Sequence, residues 1–109
     1  MPVTIGEVTT FANPKASKKQ AKKILEEAAE VFAAWQEFDC CRYTAVDNAA
    51  RGECSLRDNY NVTFTRNELV DECADLITAT ANLLAALGVD DMREAMRACK
   101  RRNRERGRL

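Results

Sequence analysis

The sequence predicts an all-α fold, a bundle of three or four helices, on three observations. Apolar residues recur at three- and four-residue steps from Ile24 to Trp35. Capping signals precede long helix-compatible runs, and Gly88 stands as a stop after one of them. No internal repeat or low-complexity segment breaks the pattern. With 109 residues, 46% hydrophobic and 31% charged, the chain is expected to form one domain over residues 1–109 with a modest core.

Residues 2–12 alternate loosely and are rich in β-branched side chains, which predicts a short strand or an arm lying on a neighbour. Asn13-Pro14 and Ser17-Lys-Lys-Gln20 both signal a helix start, and from either the helix is expected to reach about Phe38. Ile24, Ala28, Val31, Phe32 and Trp35 form its apolar stripe, with Trp35 read as a core residue. Residues 39–64 lose the period, carrying Gly52, several Asn and Asp, and isolated hydrophobics; they predict a long connection with one short helix near Ala45–Ala50. Thr65-Arg-Asn-Glu68 has capping-box spacing and opens a second long helix that runs to Leu87. Asp90 is expected to cap a third helix through about Asn103, followed by a basic tail.

Lysine plus arginine and aspartate plus glutamate both total 17, so no whole-chain field of one sign underlies the function. The charges are nevertheless segregated: residues 1–23 carry net +4, residues 24–92 net −10 and residues 93–109 net +6. The absence of histidine removes the commonest general base and most zinc and iron sites, leaving oxygen or sulfur to hold any metal. Five cysteines (Cys40, Cys41, Cys54, Cys73 and Cys99) contain no CxxC pair and read as small apolar fillers in a reducing compartment. The longest apolar stretch, Ala79 to Val89, is interrupted by Thr80 and Asn82, so a cytoplasmic protein with no membrane contact is expected.

The chemistry-bearing residues lie on the two long helices. Glu27 and Glu30 stand three apart, as do Glu72 and Asp75, which puts each pair on one helical face. Both pairs sit among residues suited to burial; Asp75 is the most telling, being the lone charge between Cys73 and Leu87. Four like charges brought to a bundle interior need a cation, and no basic residue occurs from Ile24 to Asp39 or from Asn67 to Asp91. A divalent ion with hard oxygen ligands, Mg²⁺ or alternatively Mn²⁺, satisfies that need better than zinc.

The runs KILEEAAE (Lys23–Glu30) and ECAD (Glu72–Asp75) resemble the EExxE…ExxD pattern of the MazG-type all-α nucleoside triphosphate pyrophosphohydrolases. The run KRRNRERG (Lys100–Gly107) is similar to the Lys…Asn…Arg-Gly ending of MazG-like members, so the likeness spans about residues 20–107 with a gap. The resemblance implies Mg²⁺-dependent hydrolysis of a nucleoside triphosphate to the monophosphate and pyrophosphate. It assigns Glu27, Glu30, Glu72 and Asp75 to the metal, Glu26 with Glu27 to catalysis, and Lys100 and Asn103 to the substrate. Phosphoribosyl-ATP pyrophosphohydrolases share both acidic runs and rank second, because their tails usually lack the basic ending. The 41 residues between Glu30 and Glu72 exceed the usual spacing, which marks residues 36–67 as an insertion that shapes a nucleotide pocket or an oligomer contact.

A reading from another class is a non-catalytic nucleic-acid-binding or regulatory helical module. Lys100, Arg101, Arg102, Arg104, Arg106 and Arg108 give the tail a nucleic-acid-like basic density, but no aromatic residue lies there to stack on bases. The same cations suit the negative pole of a helix end. Three helices with a half-exposed apolar surface predict a homo-oligomer, a dimer or tetramer, with sites near the subunit contacts.

Overall fold

The computed structural model of the chain describes residues 1–53 and 55–109; Cys54 lies outside the described residues. It is all-α, with α1 (Lys18–Ala50), α2 (Leu56–Ala86) and α3 (Arg93–Glu105). Helix α1 starts at the second of the two signals: the Ser17 hydroxyl accepts from the Gln20 amide at 3.1 Å. Asn13, the other candidate, sits outside the helix with φ 54°. Residues 2–12 form no strand and run as an extended arm whose Phe11 amide donates to Asn82 Oδ1 of α2 at 2.8 Å.

The expected long connection over 39–64 is instead helical on both sides of a short link. Helix α1 continues past Phe38 to Ala50, and α2 begins at Leu56, nine residues ahead of Thr65. Weak formers such as Asp39, Thr44 and Asp47 are held in α1 by local pairs: Arg42 to Asp39 at 2.6 Å, Arg51 to Asp47 at 3.2 Å, and the Thr44 hydroxyl to the Cys40 carbonyl at 3.0 Å. Across the link, Asn48 Nδ2 donates to Asp58 Oδ2 at 2.9 Å, so tertiary contact overrides propensity. Gly52, at φ 77°, ends α1: its amide reaches the Ala49 carbonyl and the Glu53 amide reaches Asn48, a Schellman closure that favours glycine in the left-handed position.

The N-cap of α2 is Ser55, whose hydroxyl accepts from the Asp58 amide at 3.0 Å. Thr65 is no cap: it is buried inside α2 with its hydroxyl donating to Asn61 O at 2.7 Å. Gly88 closes α2 as expected, and α3 opens at Met92 rather than Asp90, with no side-chain cap.

Helices α1 and α2 pack antiparallel as a long hairpin, while α3 packs on neither of them. The deepest positions of the hairpin are mainly polar. Besides Ala79, the buried residues among the described ones are Glu27, Thr65 and Asn82, the last only 1% exposed. Trp35, expected in the core, is 40% exposed, with the Arg42 guanidinium 5.4 Å from its ring centre. Phe32, Tyr43, Tyr60 and Leu56 are also turned outward.

The Cα radius of gyration is 18.2 Å, against about 13 Å for a compact chain of this length. The exposed area is 8990 Å², roughly 2,900 Å² more than a folded monomer of this mass presents. Among the described residues no helix is long and apolar enough to cross a membrane.

Asp91 organises the entry to α3, taking the Arg93 amide at 3.0 Å and its guanidinium at 2.7 Å. The Arg93 side chain, then its amide, hold the Asp91 carboxyl down at about 2, below its ordinary value of 3.8. A depressed folded-state value means this contact is at full strength above pH 3.8 and is lost as pH falls through about 2. The Arg93 amide resonance should therefore titrate with a midpoint near 2 and lose that transition in Asp91→Ala; a midpoint at the ordinary value would refute the contact.

Candidate active site

Antiparallel packing sets Glu27 of α1 opposite Glu72 and Asp75 of α2. One carboxylate oxygen from each lies within 4.8 Å of the other two. The three-residue step between Glu72 and Asp75 turns both toward α1, as the sequence indicated. Their burial differs from the expectation: Glu27 is the buried member, Glu72 is half-buried and Asp75 is exposed. Glu27 lies in the seam between the helices, whereas Asp75 opens onto an adjoining cleft.

Glu30, one turn further along α1, is exposed. The charge and side chain of Glu27, followed by those of Glu72, push its carboxyl above the ordinary range. Four carboxylates thus converge, with Glu27, Glu72 and Asp75 forming the tightest group.

The chain does supply one cation to this group. Lys23, just ahead of the base-free stretch, places Nζ 3.1 Å from Glu27 Oε1 and 3.7 Å from Glu26 Oε2. The Glu27 carboxylate raises the Lys23 ammonium above its ordinary value in return. One ammonium leaves the cluster undercompensated. Glu27 Oε2 and Glu72 Oε2 are both buried without a hydrogen-bond partner. Two orphaned hard oxygens beside a third carboxylate fit a divalent cation such as Mg²⁺ or Mn²⁺.

The cleft beside the cluster has a volume of about 890 Å³, within the range of small-molecule sites. Glu26, Glu27 and Asp75 line it at one end, and the Phe11–Pro14 segment of the arm closes one side. Asn82 anchors that segment. The only sequence signal for this role was its interruption of an apolar run; the arm's destination had no local signature. Lys23 precedes the base-free stretch by one residue and reaches Glu27 from one helical turn back.

Lys100 and Asn103 are not brought to the acidic group within one chain. They ride on α3 and do not line the cleft. Asn103 Nδ2 faces Cys99 Sγ at 3.6 Å, and its Oδ1 accepts from Arg108 at 3.3 Å. Cys40, Cys41, Cys73 and Cys99 are free thiols.

Mg²⁺ or Mn²⁺ is expected to raise Tm, upwards of about 10 °C at a hundred times its Kd, and Glu72→Gln should abolish the shift. Lys23→Gln should lower Tm in chelator, and the metal should recover much of the difference by taking over the Glu27 charge. Calorimetry with and without metal checks both; an equal metal response in Glu72→Gln would refute the cation site.

A sequence model of the phosphoribosyl-ATP pyrophosphohydrolase family matches residues 6–103. No curated protein and no solved structure matches the chain significantly. The match covers the arm from residue 6 onward, both acidic runs and most of α3. Its members are hydrolases acting on phosphoanhydride bonds, within the MazG-like all-α superfamily to which the two acidic runs point. The chain belongs to the phosphoribosyl-ATP pyrophosphohydrolase family.

Proposed function

We propose that the chain hydrolyses the bond between the α- and β-phosphates of a nucleoside triphosphate group, releasing pyrophosphate. The observation that carries this reading is the pair of buried, unpartnered oxygens on Glu27 and Glu72, with Asp75 beside them at the end of an open cleft. The family match supports phosphoribosyl-ATP ahead of a general nucleoside triphosphate, reversing the order suggested by the basic tail. The tail beyond residue 103 and the long α1–α2 hairpin keep general nucleoside triphosphates as the second substrate class.

Glu27, Glu30, Glu72 and Asp75 would hold Mg²⁺, with Mn²⁺ as the alternative. When bound, the ion offsets phosphate charge and acidifies a coordinated water. Glu26, which lies on the cleft wall beside Lys23, would orient the attacking water with Glu27. Water, rather than a side chain, is the nucleophile in this reading: its oxygen bonds to phosphorus as the bridging oxygen departs with pyrophosphate. Lys23 holds Glu27 and Glu26 in register until metal and substrate replace part of that pairing.

We further propose a homo-oligomer, a dimer or tetramer. The excess exposed area per chain is several times the about 800 Å² that each partner buries in a standard interface. The net +6 of residues 93–109 complements the net −10 of residues 24–92, so α3 of a second copy would bring Lys100 and Asn103 to phosphate. A reducing cytoplasm suits the free thiols.

Pyrophosphate release from phosphoribosyl-ATP and a panel of nucleoside triphosphates in Mg²⁺ tests the reading. Glu30→Gln should lower kcat by at least about 100-fold, and light scattering at micromolar concentration should give a mass of two or four chains. Absence of release with every substrate would overturn the activity, and a monomeric mass would overturn the assembly.

A further inference from the structure

Along one face of α1 the charge reverses sign within two turns. Lys19, Lys22 and Lys23 are followed at helical spacing by Glu26 and Glu27, and all five line the same cleft. The face spans about 12 Å. Lys15 adds a further ammonium from the arm, whose position is set by the bond from the Phe11 amide to Asn82. The cleft therefore has an acidic end suited to a cation and a basic end suited to an anion.

The basic end is unfavourable without a ligand. It lies at the N-terminus of α1, the positive pole of the helix, where the first turn contains no acidic residue and begins with Lys18 and Lys19. Ser17 and Gln20 also line the cleft, so that pole opens into it. Only Lys23 among the four cleft lysines is ion-paired among the described residues. Lysines gathered at a positive pole around an open cavity have no folding rationale, but they match an anion carried by a metal.

We propose that the basic end of this cleft is a pyrophosphate seat, in which Lys15, Lys19, Lys22 and the N-terminus of α1 hold the β- and γ-phosphates of the substrate that leave together as pyrophosphate. The seat rests on the proposed pyrophosphohydrolase reading and deepens it. It places the leaving group toward the arm and the nucleoside toward the acidic end and beyond. The lysines keep the departing charge neutralised, and the arm makes one wall from the same chain as the acidic group.

Titration of inorganic pyrophosphate into the full-length protein in Mg²⁺ tests the seat. Lys19→Gln/Lys22→Gln should weaken pyrophosphate binding at least about tenfold and raise substrate KM by a similar factor, with a smaller change in kcat. Lys18→Gln removes the same kind of charge from outside the cleft and should change either quantity by less than about twofold. Equal losses in Lys18→Gln and in the double variant, or unchanged binding in the double variant, would overturn the seat. A parent that binds no pyrophosphate also overturns it. Hydrolysis of a nucleotide by that same parent would leave the activity standing, so the two failures are distinguishable. Circular dichroism at 222 nm should match the parent in each variant, separating lost contacts from lost fold.

Discussion

Burial of Glu27 against Glu72, with one oxygen on each left unpaired, is the constraint around which the remaining features are arranged. An unpaired buried carboxylate costs roughly several kcal/mol, and Glu27, followed by Glu72, raises the carboxyl of neighbouring Glu30 above its ordinary range. Lys23 relieves one oxygen of Glu27 and leaves the others. A hard cation would meet the remaining demand and, once bound, would favour a phosphate-bearing ligand. The metal chemistry thus follows from the electrostatics of the hairpin seam.

The same seam explains the unfinished appearance of the single chain. Glu27, Thr65 and Asn82 take the deepest positions beside Ala79; Ile24, Val31, Leu69 and Leu76 are only half-buried, and Leu25, Phe32, Tyr43, Leu56 and Tyr60 face outward. A hairpin with mainly polar deepest positions and apolar flanks has its hydrophobic driving force directed toward other surfaces. The unpacked α3 is in a similar position: it carries basic groups that the acidic middle of the chain attracts, yet it touches neither long helix of its own chain.

The segregation of charge along the sequence takes on meaning at the cleft. Lysines from the beginning of the chain and acids from α1 and α2 meet there, making a cavity with two electrostatic ends. A metal–phosphate ligand has the complementary polarity. The arm that walls one side of this cleft is tied to it by a hydrogen bond to a buried amide, the Phe11–Asn82 contact.

The sequence by itself determined what is local or periodic. The all-α class followed from helical apolar spacing, the two candidate starts of α1 from their capping signals, the end of α2 from Gly88, and the pairing of Glu72 with Asp75 from a three-residue step, because each depends on residues within about one turn; the structure chose Ser17 over Asn13. The acidic pattern also led to the right superfamily, while the order of the two substrate readings depended on the match across the whole chain. Tertiary structure decided what depends on opposing elements. It carried helix through 39–50 and 56–64, since contacts across the hairpin outweigh weak propensity, and it made Thr65 an interior residue rather than a cap. It also chose Glu27 over Asp75 for burial and joined the arm to Asn82, because depth and long-range partners are set by which helix lies opposite, a relation that no short spacing encodes.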